Sequence, residues 1–240
     1  MDKTVQIYLI NIHGGNSMFM SIFTDASIIK TIHGETIGCA GAICKENNNI
    51  CRFEIQRDST NNISEMTAIY LALQLAIEHR ESFKLKYVDI YADSQWAIFS
   101  LTKWIRGWMN NMQNGLMINS SGLPVKNQEL ILSIIKLIVD NDLKVNFYHV
   151  KGHVNVYDLK SVEHAIDVFS KSNRVLVFNK NHIVDCANMN NMVDKQTRDL
   201  LATYKDASPV HLTRGVILPI IPNQDLIRYY NLVTLGGNEI

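Results

Sequence analysis

Four acidic residues stand where predicted strands end or predicted helices begin. Asp25 and Asp93 each follow an apolar run with the length and composition of a strand. Because the carboxyl ends of adjacent parallel strands form the ligand crevice of an open α/β sheet, these two side chains could face each other there. Glu65 lies near the start of an apolar helical pattern, where a carboxylate is costly to bury unless it is paired or bound to a cation. Together with Asp194, which opens a later helical pattern, these acids predict a metal site.

Taken singly, each acid also has a purely structural explanation. An aspartate at the end of a strand is commonly a turn or cap residue. A glutamate in the first turn of a helix interacts favourably with the helix dipole. Whether the four acids meet therefore depends on the elements that carry them.

The elements around these acids alternate between strands and helices. Three antiparallel strands are predicted first, then a buried helix rich in alanine and leucine, then parallel strands reached through helical crossovers. Strands are predicted at residues 18–24, 39–44, 51–56, 87–92 and 144–150, and helices at residues 64–79, 94–104, 128–139 and 190–204. This order predicts an α/β fold with a mixed five-stranded sheet flanked by helices.

Seven short segments around these elements resemble type 1 ribonuclease H. In chain order they are TDAS at residues 24–27, TNNISE at 60–65, DSQ at 93–95, TKWIRGW at 102–108, PVKN at 124–127, VKGH at 150–153 and NNMVD at 190–194. The TNNxxE and VKGH patterns are the most specific because they occur in the family's order around the predicted elements. The resemblance covers roughly residues 18–153 and 188–204 and implies a ribonuclease H-like fold.

The resemblance implies an endoribonuclease that hydrolyses the RNA strand of RNA–DNA hybrids to 5′-phosphate and 3′-hydroxyl products. It implies two Mg²⁺ ions, or Mn²⁺ in their place, held by Asp25, Glu65, Asp93 and Asp194. Two hard cations about 4 Å apart need several oxygen ligands, which explains the number of carboxylates. His153 matches the family's mobile histidine, which assists proton transfer or product release; without the motif it would be interpreted as an exposed loop histidine.

Six further residues are implied in substrate binding. They are Asn61, Asn62 and Gln95 on the RNA minor groove, Thr60 and Asn127 in a pocket for a DNA phosphate, and Trp104 in the DNA-side channel. The minor groove displays the 2′-hydroxyl groups that distinguish RNA from DNA. Trp104 and Trp108 are also spaced for packing on one face of a helix, and for Trp108 that is the preferred interpretation.

Three departures from the family pattern concern substrate binding. Asp58 stands two residues before Thr60, where the family often has a basic residue, and Arg57 lies beside it. The segment that matches the family's basic handle, residues 109–123, contains no Lys or Arg. One asparagine that contacts RNA in the family has no clear match after the first strand. Fewer phosphate contacts predict weaker binding with a shallower dependence on salt.

The separation between His153 and Asp194 is much longer than the family's usual loop. We expect an insertion at about residues 154–189 that is irregular and contains one hairpin, with residues 174–178 against 182–186. Two pairs with His-to-Asp spacing, His164 with Asp167 and His182 with Asp185, could ligate a metal. Since no cysteine set accompanies them, ordinary surface residues are the preferred interpretation.

The rest of the chain is expected to be an appendage. Residues 207–240 contain three of the four prolines and a Gly-Gly pair, and are predicted to be extended or loop-rich. The sequence therefore predicts a ribonuclease H-like domain at residues 1–205, including the insertion, and a C-terminal extension at residues 206–240. Either the insertion or the extension could contact a protein partner.

Composition indicates a globular protein with no bulk charge. Hydrophobic residues make up 47% of the chain, which excludes a disordered or collagen-like protein. The 23 Lys and Arg residues balance the 23 Asp and Glu residues, so binding to nucleic acid cannot depend on a strongly positive net charge. The assignment of four acids to a metal site leaves the remaining surface more positive than this balance suggests.

The cysteines and the apolar runs indicate the compartment. Cys39, Cys44, Cys51 and Cys186 show no zinc-ligand spacing and are expected to be buried free thiols in a reducing environment. No apolar stretch reaches the length of a membrane helix. A cytoplasmic protein without membrane association is expected.

Two other functions are compatible with the fold. A catalytically silent scaffold or nucleic-acid-binding module is the main alternative, since one fold can host many functions. The set of four acids with His153 favours the enzyme, because a scaffold has no physical need for carboxylates that repel one another. A nuclease that acts on DNA is disfavoured by the matches at Asn61, Asn62 and Gln95.

Overall fold

A computed structural model describes residues 18–175, 177, 179–206, 223–236 and 238–239. In these residues a central sheet has the strand order β3-β2-β1-β4-β7-β8-β9. Its strands are β1 (Phe19–Lys30), β2 (Thr36–Cys44), β3 (Cys51–Arg57), β4 (Tyr87–Ala92), β7 (Val145–His149), β8 (Val233–Leu235) and β9 (Asn238–Glu239). A separate small hairpin consists of β5 (Met112–Gln113) and β6 (Leu116–Met117).

The sheet is mixed, as predicted. Strands β1, β2 and β3 pair antiparallel, whereas β4, β7 and β8 continue the sheet from β1 in parallel register. Val88 and Ile90 pack on one face of the sheet, and Tyr91 packs on the other. The strands are therefore apolar on both faces, as expected of a sheet covered by helices on both sides.

Helices cover the two faces. They are α1 (Asn61–Glu78), α2 (Gln95–Phe99), α3 (Ile105–Asn110), α4 (Gln128–Asp140), α5 (Leu159–Asn173), α6 (Lys180–Ala202) and α7 (Asn223–Leu232), with a π-helical segment at Ser100–Trp104 between α2 and α3. Helices α1, α4 and α7 share one hydrophobic core, and α5 and α6 pack together against the opposite face. The predicted helices at 64–79, 94–104 and 128–139 are confirmed, with small shifts at their ends.

The insertion is helical, so the predicted hairpin at 174–178 and 182–186 is wrong. Helix α5 buries Val162, Ala165 and Phe169, whose spacing of three and four residues is that of a helix face. Residues 182–186 lie in α6, which also includes residues 190–202 of the helix predicted at 190–204. The apolar alternation near residue 175 resembled a strand, and two of its residues, 176 and 178, lie outside the described part of the chain.

The C-terminal segment adds strands to the sheet, so the expectation of five strands and a loop-rich tail is corrected. Strand β8 pairs in parallel with β7, and β9 pairs with β8. The hydroxyl of Tyr229, which is fully buried, donates to the carbonyl of Leu101 at 2.7 Å. The guanidinium of Arg106 lies over the ring of Tyr230. Residues 207–222 of the predicted tail lie outside the described residues.

The described elements show where the four cysteines lie and whether any helix could span a membrane. Cys39, Cys44 and Cys186 are buried free thiols, as predicted, but Cys51 is exposed because it opens the edge strand β3. Burial raises the pKa of the Cys39 thiol to about 11. Among the described helices, none combines the length and apolar character needed to cross a membrane.

Candidate active site

Three carboxylates meet at the carboxyl end of the parallel strands. Asp25, Glu65 and Asp93 each offer an oxygen, and these oxygens all lie within 4.8 Å of one another. Asp25 lies within β1 and not at its end, because β1 continues beside β2 after its pairing with β4 stops at Ala92. The early end of β4 opens the sheet beside Asp25, and Asp93 follows at the same edge.

Helix α1 brings Glu65 to the two aspartates. Thr60 caps the helix and accepts a hydrogen bond from the amide of Ile63. The helix approaches β2 closely at Gly38, where an added Cβ would lie 2.1 Å from the Ser64 hydroxyl oxygen. A side chain at position 38 would therefore push Glu65 away from the sheet.

Burial and mutual repulsion favour the protonated forms of these acids. Burial raises the pKa of Asp25 to about 8, and the nearby Asp93 charge adds to the rise. The pKa of Glu65 is raised well above its ordinary value, first by burial and then by the Asp25 and Asp93 charges. Burial also raises the pKa of Asp93. A cation bound between the carboxylates would remove this cost.

Asp194 lies beside the three carboxylates but outside their group of mutually close oxygens. It is buried on α6, and its charge contributes to the raised pKa values of Asp25 and Glu65. Its Oδ2 accepts a hydrogen bond from the Arg198 guanidinium at 2.6 Å. His153 Nδ1 lies 3.5 Å from the same oxygen. Asp194 is thus at the site, with one oxygen engaged by two basic side chains.

His153 is placed to face solvent at the edge of the site. Its backbone is left-handed, with φ of 53°, and its side chain is 74% exposed. The preceding Gly152 packs against Asp93, since an added Cβ would lie 2.2 Å from Asp93 Oδ2. The VKGH motif therefore serves two purposes: the glycine allows close packing on Asp93, and the histidine is presented beside Asp194.

Two residues around Asp93 were not assigned a role from the sequence. The Asn190 amide nitrogen lies 3.5 Å from Asp93 Oδ2, and its buried Oδ1 has no hydrogen-bond partner among the described residues. His149 contacts the Asp93 carbonyl through Nε2 at 3.1 Å and the Ser172 hydroxyl through Nδ1 at 2.9 Å. Asn190 belongs to the last motif, but nothing in its local sequence indicates which atom it contacts.

The donor set fits hard divalent cations. Carboxylate oxygens and the unpartnered amide oxygen of Asn190 are the ligand types that Mg²⁺, Mn²⁺ and Ca²⁺ accept in proteins. None of the described Cys or His residues joins this group of close ligand atoms. The arrangement therefore suggests dependence on a divalent metal.

The residues expected to contact RNA surround the carboxylates at helix starts. Asn61 and Asn62 are the first residues of α1, and both are exposed. Gln95 is exposed at the first position of α2, after Ser94 caps that helix. These three side chains are accessible on two neighbouring helix N-termini, beside Glu65 and Asp93.

The residues expected to contact the DNA strand are further from the carboxylates in sequence. Thr60 is exposed, although its hydroxyl also caps α1. Asn127 precedes α4 in a left-handed conformation, and its side chain makes no capping hydrogen bond. Trp104 is 39% exposed, with its ring 5.8 Å from that of the half-buried Trp108, which packs on the core. Arg57 pairs with Glu35 at 2.9 Å.

The two His-to-Asp pairs of the insertion do not form a metal site in the described residues. Asp167 pairs with Lys171 on the surface of α5. Asp185 pairs with Lys45, and the His182 ring packs edge-on against Tyr91. Surface and packing roles, the preferred interpretation, therefore account for both aspartates and for His182.

Comparison with known proteins adds the family. The profile of the RNase H family matches residues 17–173. Ribonuclease HI of Haemophilus influenzae is 31% identical over 134 residues, covering 56% of this chain and 78% of that protein. Ribonuclease H of Clostridium botulinum is 32% identical over 136 residues, covering 55% and 82%. Ribonuclease H of Ehrlichia chaffeensis is 39% identical over 98 residues, and the match spans 40% of this chain and 58% of that protein.

The family match and the geometry agree over most of the site. The match contains Asp25, Glu65, Asp93 and His153. It ends before Asp194, which the NNMVD motif assigns to the site and which the fold places beside His153. The profile covers more than half of the chain, and two relatives are matched over more than two thirds of their length. This chain therefore belongs to the RNase H family of endoribonucleases.

Proposed function

We propose that this chain hydrolyses the RNA strand of RNA–DNA hybrids with two Mg²⁺ ions, leaving 5′-phosphate and 3′-hydroxyl ends. The observation that carries the proposal is the convergence of Asp25, Glu65 and Asp93 within 4.8 Å, in a chain of the RNase H family. Hybrid specificity is supported by the exposed side chains of Asn61 and Gln95 beside these carboxylates.

The proposed metal ligands are Asp25, Glu65, Asp93 and Asp194. When bound there, divalent ions would activate the attacking water and neutralise charge on the leaving 3′ oxygen, and Mn²⁺ can replace Mg²⁺. Burial and close packing hold Asp25 and Asp93 in place, since Asp25 is only 4% exposed and Gly152 abuts Asp93. The carboxylates are therefore organised before the substrate arrives.

His153 has the position required for proton transfer or for product release. It is exposed, and its Nδ1 is close to Asp194 Oδ2. A side chain that reaches both solvent and a ligand carboxylate can carry a proton between them. We propose that Thr60 and Asn127 bind a phosphate of the DNA strand and that Trp104 packs along that strand.

A catalytically silent module on the same fold is the alternative. It would not need carboxylates whose burial, with repulsion from neighbouring carboxylates, raises the pKa values of Asp25 and Glu65, because that arrangement destabilises the metal-free protein. The convergence of these carboxylates at one opening of the sheet favours the enzyme.

The test is cleavage of an end-labelled hybrid beside single-stranded RNA, duplex RNA and duplex DNA, with Mg²⁺ or Mn²⁺. The wild-type chain should cut only the hybrid, and the products should carry 5′-phosphates. Asp93→Asn should lower the rate by at least about 100-fold, as expected for loss of a metal ligand. Asp140→Asn, which removes an exposed acid paired with Lys136, is the matched control. Equal rates for Asp93→Asn and wild type would overturn the proposal.

We also propose a ribonuclease H-like domain at residues 1–205 with a C-terminal extension at 206–240, in a cytoplasmic protein. The pairing of β8 with β7 supports an extension that is integrated into the domain's sheet. A protein partner for the insertion or the extension has no support in the described contacts, since α5, α6 and α7 pack within this chain.

A further inference from the structure

The handle at residues 109–123 contains no Lys or Arg, but three cationic side chains lie near another part of the active site. They are Lys103 in the π-helical segment, Lys151 in the VKGH motif and Arg174 at the end of α5. The insertion contributes Arg174, and the other two come from the part of the chain that carries the family motifs. We refer to these three residues as the cation cluster.

The cluster lies next to Asp93. Lys151 directly precedes Gly152, which packs against the Asp93 carboxylate. Both Lys103 and Lys151 act electrostatically on the ring of His149, whose Nε2 contacts the Asp93 carbonyl at 3.1 Å. Arg174 follows two residues after Ser172, which contacts the other nitrogen of the same ring. All three cations are therefore grouped around one histidine at the edge of the carboxylate site.

Helix α5 is fixed to the sheet at the residue before Arg174. The fully buried Asn173 side chain accepts a hydrogen bond from the His149 amide at 2.8 Å and donates to the His149 carbonyl at 2.9 Å. Arg174 then ends the helix with a left-handed backbone, and its amide donates to the Ser170 carbonyl. The guanidinium is thus carried on a rigid base and is exposed.

The three cations lack anionic partners in the described residues. No carboxylate in the described part of the chain forms an ion pair with any of them, whereas Lys171 on α5 pairs with Asp167 at 2.8 Å. The Lys103 ammonium lies over the Phe99 ring, 3.4 Å from its centroid, and Lys151 donates to the Gly152 carbonyl. Burial, followed by the charge of Arg174, lowers the pKa of Lys103. Like charges held together without a carboxylate favour the binding of an anion.

We propose that the cation cluster of Lys103, Lys151 and Arg174 binds a backbone phosphate of the nucleic acid next to the scissile phosphate, in place of a basic handle. This inference rests on the proposed function for the identity of the ligand. The insertion then has a defined role, because the end of α5 carries one of the three phosphate-binding side chains toward His149, which contacts the Asp93 carbonyl.

The test measures binding of a fluorescein-labelled RNA–DNA hybrid by anisotropy as a function of salt. The full chain carries Glu65→Gln in every sample, so that the hybrid is not consumed. Each of Lys103→Gln, Lys151→Gln and Arg174→Gln should weaken binding about fivefold to tenfold at about 0.1 M salt. One phosphate contact contributes about 0.9 to the slope of log K against log salt, so the triple variant should lose about 0.9 and each single variant should lose part of that amount.

Two controls separate the cluster from net charge. Lys171→Gln makes the same change in net charge on α5, three residues from Arg174, and should leave the slope unchanged because Lys171 is already paired. Arg174→Lys should restore the slope lost in Arg174→Gln. Thermal unfolding of each variant checks that the fold is retained.

The outcomes separate this inference from the proposed function. Slopes unchanged in all three cluster variants, or an equal loss in Lys171→Gln, would overturn the cluster even if the wild-type chain cleaves hybrids. If the wild-type chain does not cleave hybrids but the three variants still lose slope and Lys171→Gln does not, the cluster stands as a nucleic-acid site and the proposed activity fails.

Discussion

A comparison of Asp194→Asn with Asp167→Asn tests which of these two aspartates is the last acidic ligand of the metal site. The match ends at residue 173, within reach of Asp167 but not of Asp194. In the structure the Asp194 side chain is 8% exposed beside His153, whereas that of Asp167 is 50% exposed and paired with Lys171. The amide keeps the shape of the side chain and removes its charge, so the comparison isolates the electrostatic role of each acid.

The expected magnitude follows from these surroundings. Groups that support bound metals are commonly worth 10-fold to about 100-fold in metal affinity or activity, and a direct ligand is worth at least as much. We therefore expect Asp194→Asn to reduce hybrid cleavage by about 100-fold at limiting Mg²⁺, with partial recovery at high Mg²⁺. The fold should survive, because the Arg198 side chain left without its partner is 60% exposed and can be solvated. Asp167→Asn loses only a surface ion pair and should stay within about twofold of wild type.

The assay is the initial rate of cleavage of a labelled hybrid across a Mg²⁺ titration, with thermal unfolding of both variants as the control for folding. A larger loss in Asp167→Asn than in Asp194→Asn would refute the reasoning. It would place the last acidic ligand on α5 and would mean that α6 does not carry it.

Three further predictions concern packing and charge at the site. Gly152→Ala should slow hybrid cleavage by about 10-fold to 100-fold in kinetic assays, because the added methyl displaces Asp93. Gly107→Ala is the control and should have no effect, because its added methyl meets no atom of the described residues within 4 Å. The metal-free protein should lose more than about 1 kcal/mol of stability as the pH rises from about 4 to 8, since the folded-state pKa of Asp25 is raised to about 8. Urea unfolding in EDTA measures this loss, and an equally steep loss in Asp25→Asn would contradict the prediction. Asn173→Ala should lower the free energy of unfolding in urea by about 2–4 kcal/mol, because it leaves buried backbone groups without hydrogen bonds. A change below about 0.5 kcal/mol would contradict this prediction.

Local sequence was sufficient for the elements whose hydrophobic period is regular. The strand predicted at 87–92 matches β4, and the helix predicted at 128–139 matches α4 to within one residue. The insertion was misinterpreted because residues near 175 alternate like a strand, while the helical face of α5 is spread over Val162, Ala165 and Phe169 among polar neighbours. A face of this kind becomes evident only when the surface that it covers is known.

The C-terminal strands could not be predicted from their local sequence either. β8 has only three residues. Its place in the sheet depends on the edge of β7 that does not pair with β4 and on the buried Tyr229, and the sequence of β8 itself specifies neither contact. Short strands are stabilised by the neighbour they pair with, so their own composition predicts them poorly. Proline and glycine in this region indicated a loop and gave no indication of that partner.

The sequence by itself determined the types of the active-site residues and their order, because the seven motifs contain all four acids and also Gly152 and Asn190, which contact Asp93. Only the tertiary structure decided which of those groups meet. It brings oxygens of Asp25, Glu65 and Asp93 within 4.8 Å of one another and places Asp194 beside them. It also brings Lys103, Lys151 and the end of α5 near His149. The physical reason is that charge interactions depend on distance in space, and that distance is fixed by how helices pack on the sheet, over separations that no local pattern encodes.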